Sequence, residues 1–284
     1  MRGLILLCGF LAIGCAAPVP DVAARAAAPS ETAPAPIPIK VMKPDGAGPF
    51  PAIVILHDCS GLAPRSSGSP ARWANVLLRE GYVIVIPDSF STRGHADGVC
   101  TNPSPSRNEV NAYRRARDAY EALAYARSLP YVDGAHVGVM GGSHGGSTTL
   151  ATMVASQGPG FAAAIALYPG CAARYGNWRP GTAGVYKPVA PLLILVGEKD
   201  DWTPAEPCRQ LVERSRDAGY PVAIRIYPGA LHSFDSDRPA RYVETRVNSN
   251  APGGRGATTG GDPEAWASSI REVKVFFGRH LRRE

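Results

Sequence analysis

Short apolar runs alternate along the chain with segments that are apolar on one side only. Residues 52–57 (AIVILH), 82–87 (YVIVIP), 162–168 (AAAIALY) and 192–196 (LLILV) are apolar at nearly every position. Runs of this length and composition belong to strands covered on both faces, as in a parallel sheet. Residues 137–140 and 222–227 read as two further strands, and residues 37–42 as an edge strand. Residues 71–80, 111–128, 205–218 and 263–281 read as helices. The helix at 111–128 has the clearest pattern: Ala112, Ala116, Ala119, Leu123 and Ala126 form a stripe at helical spacing, with Arg114, Arg115, Arg117 and Glu121 off it. Strands alternating with helices predict an α/β fold, a mostly parallel central sheet flanked by helices with right-handed crossovers. Residues 88–108, 169–191 and a Gly/Asn-rich stretch at 248–262 read as loops, and the interval 169–191 is short enough that only a minimal cap is expected.

Residues 136–155 read HVGVMGGSHGGSTTLATMVA: a strand, a glycine-flanked serine, then small and apolar residues that suit a helix. This is the context of a G-x-S-x-G nucleophile elbow, the turn that exposes a serine hydroxyl above the sheet of an α/β-hydrolase fold. The turn is sharp, and side chains at Gly141 and Gly145 are expected to collide with the neighbouring strand and helix. In an open parallel sheet the ligand site forms beyond the carboxyl ends of the strands, and the polar candidates of this chain all follow strands. After Ser143 come Asp200 and Asp201 in one loop and His232 in another, the chain order Ser–Asp–His of α/β hydrolases. Ser143 is then the nucleophile, His232 its general base, and Asp200 the carboxylate that orients the imidazole, with Asp201 the alternative. The oxyanion donors expected are the backbone N–H groups of His144 and Cys59. His57 is expected to prop that loop, and the His144 side chain to point away along the elbow helix.

The first residues, MRGLILLCGFLAIGC, place one arginine before an apolar stretch of about a dozen residues, too short to span a bilayer and fitted to an export signal. The end of that stretch is similar to a bacterial lipoprotein signal with Cys15 as lipid-anchored residue; cleavage after Ala26 is the competing site. Residues 1–15 are thus expected to be a signal, residues 16–38 an Ala/Pro-rich tether, and residues 39–284 the folded domain. The expected location is a bacterial envelope, as a periplasmic or membrane-anchored lipoprotein, with secretion as the alternative. Export agrees with the cysteines: Cys59, Cys100, Cys171 and Cys208 remain after the signal, an even number, and Cys59–Cys100 and Cys171–Cys208 are expected to brace neighbouring loops. No C-x-x-C spacing suggests a metal site. The formal charge of +6 is spread over many arginines without a dense basic run, which argues against nucleic acid as a partner.

The blocks HDCSGL, GGSHGG, GEKDDWTP and ALHSF together resemble the dienelactone hydrolase family of α/β hydrolases, over residues 39–281. The resemblance implies a hydrolase of small-molecule esters or lactones working without metal or cofactor, with Ser143, Asp200 and His232 as triad and Cys59 and His144 as oxyanion amides. Dienelactone hydrolases use a cysteine nucleophile where this chain has Ser143. Their acidic residue at the resting nucleophile is Glu where this chain has Asp58. Serine with a histidine base suits a general esterase. Trp178 and Trp202, with Tyr175 and Tyr186, stand in loops above the sheet, either to line a substrate pocket or to pack the loops. Arg93 and Arg65 are candidate partners for a substrate carboxylate. No protein partner is expected. A peptidase or thioesterase on the same triad, or a catalytically silent envelope binding protein, are the alternatives.

Overall fold

A computed structural model of the chain describes residues 36–102, 109–154 and 160–282. The expected signal and nearly all of the tether lie outside the described residues. The fold is built on a seven-stranded sheet of β1 (Ile39–Met42), β2 (Phe50–Leu56), β3 (Val83–Pro87), β4 (Val132–Gly142), β5 (Ala163–Leu167), β6 (Leu192–Gly197) and β7 (Val222–Tyr227). Its spatial order is β1-β3-β2-β4-β5-β6-β7, parallel throughout except for the antiparallel pairing of β1 with β3.

Both faces of the sheet are covered, which is why its strands read as continuous apolar runs. Along β2, Ala52, Val54 and Leu56 pack toward α2 (Ala112–Ser128), α3 (His144–Val154) and α4 (Ala205–Asp217). Ile53 and Ile55 pack toward α1 (Ser69–Arg79) and α5 (Pro263–Leu281), against Trp73, Leu77, Val273 and Phe277. Each such side chain taken out of water contributes about 1.5–3 kcal/mol. The Asn111 side chain caps α2 by accepting from the amides of Tyr113 and Arg114, and Asp262 caps α5 through the amides of Glu264 and Ala265.

Most element boundaries fall within two residues of the sequence reading, and the larger differences have a physical reason. Helix α1 starts at Ser69, two residues early, and β4 extends back to Val132, through polar residues that carry no apolar signal. The stretch 248–262 is not all loop: β8 (Arg241–Val247) and β9 (Arg255–Thr259) form a separate antiparallel hairpin. Its residues are mostly exposed or half-buried, so its pairing rests on backbone hydrogen bonds and leaves no apolar run to detect. Two disulfides join loops at the carboxyl end of the sheet, Cys59–Cys100 and Cys171–Cys208, as the loop order suggested, each with a Cα–Cα separation of 5.0 Å.

Candidate active site

Only Ser143 separates the last residue of β4 from the first of α3, and its φ is 54°, left-handed for a residue with a side chain. Such a conformation costs of order 1–3 kcal/mol and persists where its surroundings hold it. Here the Ser143 amide donates to the Leu167 carbonyl at 2.9 Å, and its carbonyl accepts from the Ser147 amide at 2.8 Å. The tightness of the turn explains the glycines. A Cβ on Gly145 would stand 2.1 Å from the Leu56 carbonyl oxygen, and one on Gly141 2.6 Å from the Gly145 carbonyl.

His232 lies in the loop after β7, its carbonyl held by the Gly260 amide at 3.0 Å just beyond β9. Its Nε2 is 2.9 Å from the Ser143 hydroxyl and its Nδ1 is 2.8 Å from Asp200 Oδ2. With a carboxylate at Nδ1, the pattern places the ring proton there and leaves Nε2 free to accept from the serine. The Asp200 carboxylate also takes the amides of Trp202 and Thr203 on Oδ1, at 2.9 and 2.8 Å, and has the Thr203 hydroxyl 2.9 Å from Oδ2. The adjacent Asp201 turns the other way, accepting from the Thr258 amide and hydroxyl at 2.8 and 2.7 Å. It ties the hairpin to the β6 loop and makes no contact with the imidazole.

The imidazole sits between two aromatic rings. Tyr168 meets it edge-on at 4.8 Å, and the Trp202 indole lies at the same distance on a tilted plane. Trp202 is fixed by an Nε1–H bond to the Val247 carbonyl at 2.8 Å and carries the Arg246 guanidinium 5.1 Å over its ring. Tyr168 donates to Asp235, which also accepts from Ser69 and from Trp73 Nε1. Burial and the Asp235 charge push the Tyr168 hydroxyl well above the usual phenol range, so it stays protonated.

On the other side of the serine, the loop after β2 is rigid. His57 is fully buried; its Nδ1 donates to the Asp58 carbonyl at 2.8 Å and its Nε2 accepts from the Ser89 amide at 3.2 Å. Burial, and then the Arg115 charge, hold His57 well below the ordinary histidine range. His144 directs its ring away from Ser143, with Nδ1 2.7 Å from Arg115 Nη1. Asp58 makes no hydrogen bond to Ser143: its carboxylate accepts from the Ser60 amide at 2.7 Å and from the hydroxyls of Ser60 and Ser67.

An open cleft lined by Ser143, His232, Cys59, the Cys59–Cys100 disulfide and Trp202 leads to the serine. Five arginines border it: Arg65, Arg72, Arg238, Arg241 and Arg246. The two carboxylates of its wall, Asp58 and Asp235, are held by serine, tyrosine and tryptophan donors, but the five arginines outnumber them, so the net charge bordering the cleft is positive. Arg246 is half-buried with its Nε unpaired among the described residues, and burial lowers its pKa.

Two expectations for substrate contacts are corrected. Arg93 forms a two-pronged ion pair with Asp118, 2.7 Å at each prong, and also donates to the Ser89 carbonyl, so its guanidinium braces the loop after β3. Trp178 is wholly buried in the layer of α2, α3 and α4, with Nε1 donating to the Cys171 carbonyl, and Tyr186 packs in the same layer. Arg65 does border the cleft, but its partner Asp97 is 3.6 Å away and both side chains are almost fully exposed. Of the arginines the sequence reading missed, Arg72 lies on α1, and Arg238, Arg241 and Arg246 belong to or precede the hairpin. The β-branched alternation of RYVETRV was the available signal for it.

A mostly parallel sheet with a serine elbow after its middle strand, and an aspartate and a histidine in loops after later strands, defines an α/β hydrolase. A model of the dienelactone hydrolase family matches residues 37–280, and the chain belongs to that family. The carboxymethylenebutenolidase of Rhodococcus opacus is 30% identical over 185 residues, spanning 64% of this chain and 69% of that protein. Esterase 2 of Thermogutta terrifontis superposes with a TM-score of 0.60 over 87% of this chain and 91% of that one; at 19% identity this likeness is one of fold. The chain is a carboxylic ester hydrolase of this family.

Proposed function

We propose that this hydrolase cleaves carboxylic esters or lactones through an acyl-enzyme on Ser143. The observation that carries the reading is the unbroken relay Ser143 Oγ–His232 Nε2–His232 Nδ1–Asp200 Oδ2, at 2.9 and 2.8 Å. As Ser143 attacks the carbonyl carbon, His232 Nε2 takes its proton, and Asp200 stabilises the imidazolium that forms. The amides of Cys59 and His144 face the developing oxyanion; the Cys59 amide makes no hydrogen bond among the described residues, which leaves it a donor for that purpose. His232 returns the proton to the leaving oxygen, then activates the water that releases the acid. The relay needs no metal or cofactor. Asp58 is locked by Ser60 and Ser67, so the resting serine faces its base alone.

The arginine-bordered cleft favours a substrate with negative charge near its scissile bond, read by Arg246 and Arg241 rather than by Arg93. The N-terminal signal and two disulfides support work in an oxidising envelope compartment, anchored through Cys15. Hydrolysis of a p-nitrophenyl ester series from acetate to decanoate, paired with half-esters of a dicarboxylic acid, tests the activity. Turnover that vanishes in Ser143→Ala and prefers the charged esters is expected; wild-type protein that neither turns over nor reacts with a fluorophosphonate sinks the reading. Labelled palmitate that still enters a Cys15→Ser protein would rule out the anchor.

A further inference from the structure

Arg115 is the one lysine or arginine wholly buried among the described residues. It stands on the first turn of α2, with Nη2 donating to the His57 carbonyl at 2.7 Å and Nη1 2.7 Å from His144 Nδ1. Its guanidinium lies 4.9 Å from the centre of the Phe90 ring. No carboxylate bonds it directly among the described residues. Asp118, one turn along the same helix, gives both oxygens to Arg93, and the Arg115 Nε has no partner among the described residues. Burial pulls its pKa down to about 10, with Asp118 and Asp58 offsetting part of the fall, so it remains a cation at neutral pH.

A buried, incompletely paired charge is costly to a fold, so its position calls for an account. The two segments it joins are those that carry the oxyanion amides: His57 lies two residues before Cys59, and His144 is itself the second donor. We infer that Arg115 is a positioning residue of the oxyanion hole, clamping both donor segments and adding a fixed positive charge behind them. This rests on the acyl-enzyme reading above. His57 and His144 take part as neutral rings. Each presents a lone pair inward, His144 to Arg115 and His57 to the Ser89 amide, so neither imidazole adds a cation beside Arg115, and the Arg93 charge that does act on it is paired with Asp118. A charge held in a dry site acts on the oxyanion without reorganising during the reaction.

The test compares wild type, Arg115→Met and Arg115→Lys on one ester, with active sites counted by fluorophosphonate titration at 20 °C. Because loss of a whole oxyanion donor costs about 10²–10³-fold, loss of its clamp is expected to lower kcat about ten-fold or more in Arg115→Met, with KM nearly unchanged. Arg115→Lys, which keeps the charge without the two-pronged geometry, should fall between. Binding of a boronic acid, which mimics the tetrahedral intermediate, should weaken in step with kcat/KM, while binding of the product acid holds steady. Lowered melting temperatures with kcat per titrated site unchanged in both variants would overturn the inference while leaving the ester-hydrolase reading intact. If Arg115→Met yields no folded protein, an Arg115→Lys protein with wild-type kcat and boronate affinity would overturn it equally. Wild-type protein without Ser143-dependent turnover would remove both.

Discussion

The two walls that meet over Ser143 are built in opposite ways. The elbow side is backbone in tight register: glycines at 141 and 145, a left-handed serine, and main-chain hydrogen bonds to β5. The hairpin side is mostly solvated, with Arg241 exposed, Arg246 half-buried over Trp202, and Asp201 holding Thr258 from below. One wall leaves no room for change and carries the chemistry. The other is held by side chains and carries the arginines to which the proposed function assigns substrate selection. The difference teaches that, under the proposed function, reaction type and specificity depend on separate kinds of interaction.

The contrast can be broken or sharpened by substitution, beginning with the largest effect. Ser143→Ala should lower kcat about 10⁶-fold and Asp200→Asn about 10⁴-fold, with melting temperatures close to wild type. An Asp200→Asn protein with near-normal kcat would mean that the imidazole is oriented by something else. Gly145→Ala forces a methyl group into the Leu56 carbonyl and should destabilise the fold by about 3 kcal/mol or more, read as lost soluble protein or a lower denaturant midpoint. Replacing Cys59 and Cys100 together by serine should remove about 2–4 kcal/mol of stability and lower kcat as well, since the Cys59 amide moves with its loop. Arg246→Met should raise KM for a charged half-ester about ten-fold and affect a neutral ester less, the gap narrowing in high salt. Equal KM changes for both esters would take Arg246 out of substrate selection. Asp201→Ala, the smallest, should lower the melting temperature by about a few degrees and leave kcat within a small factor.

What was legible in the sequence follows the same division. The strands β2, β3, β5 and β6 announce themselves because both faces are buried, and the elbow because its sterics admit only glycine. The hairpin was missed because half-exposed strands need no apolar pattern. Arg93 misled for a related reason: a loop arginine looks available until the fold brings Asp118 to it from the second turn of α2. Trp178 read equally well as pocket or packing, and only its burial against the Cys171 carbonyl separates the two. Asp200 and Asp201 differ by one position in sequence and by the direction each carboxylate takes, toward the imidazole or toward Thr258.

The hairpin has one more attachment: just past β9, the Gly260 amide holds the carbonyl of His232, and Thr259 pairs with the same residue. The segment that presents Arg241 and Arg246 is therefore continuous with the support of His232, the proposed general base. Grafting a hairpin from a relative to gain a new substrate would not be a modular exchange. A graft that shifts Gly260 by an ångström displaces the imidazole with it, so redesign of this wall has to keep residues 257–260 as a fixed frame and vary the arginine-bearing strand alone.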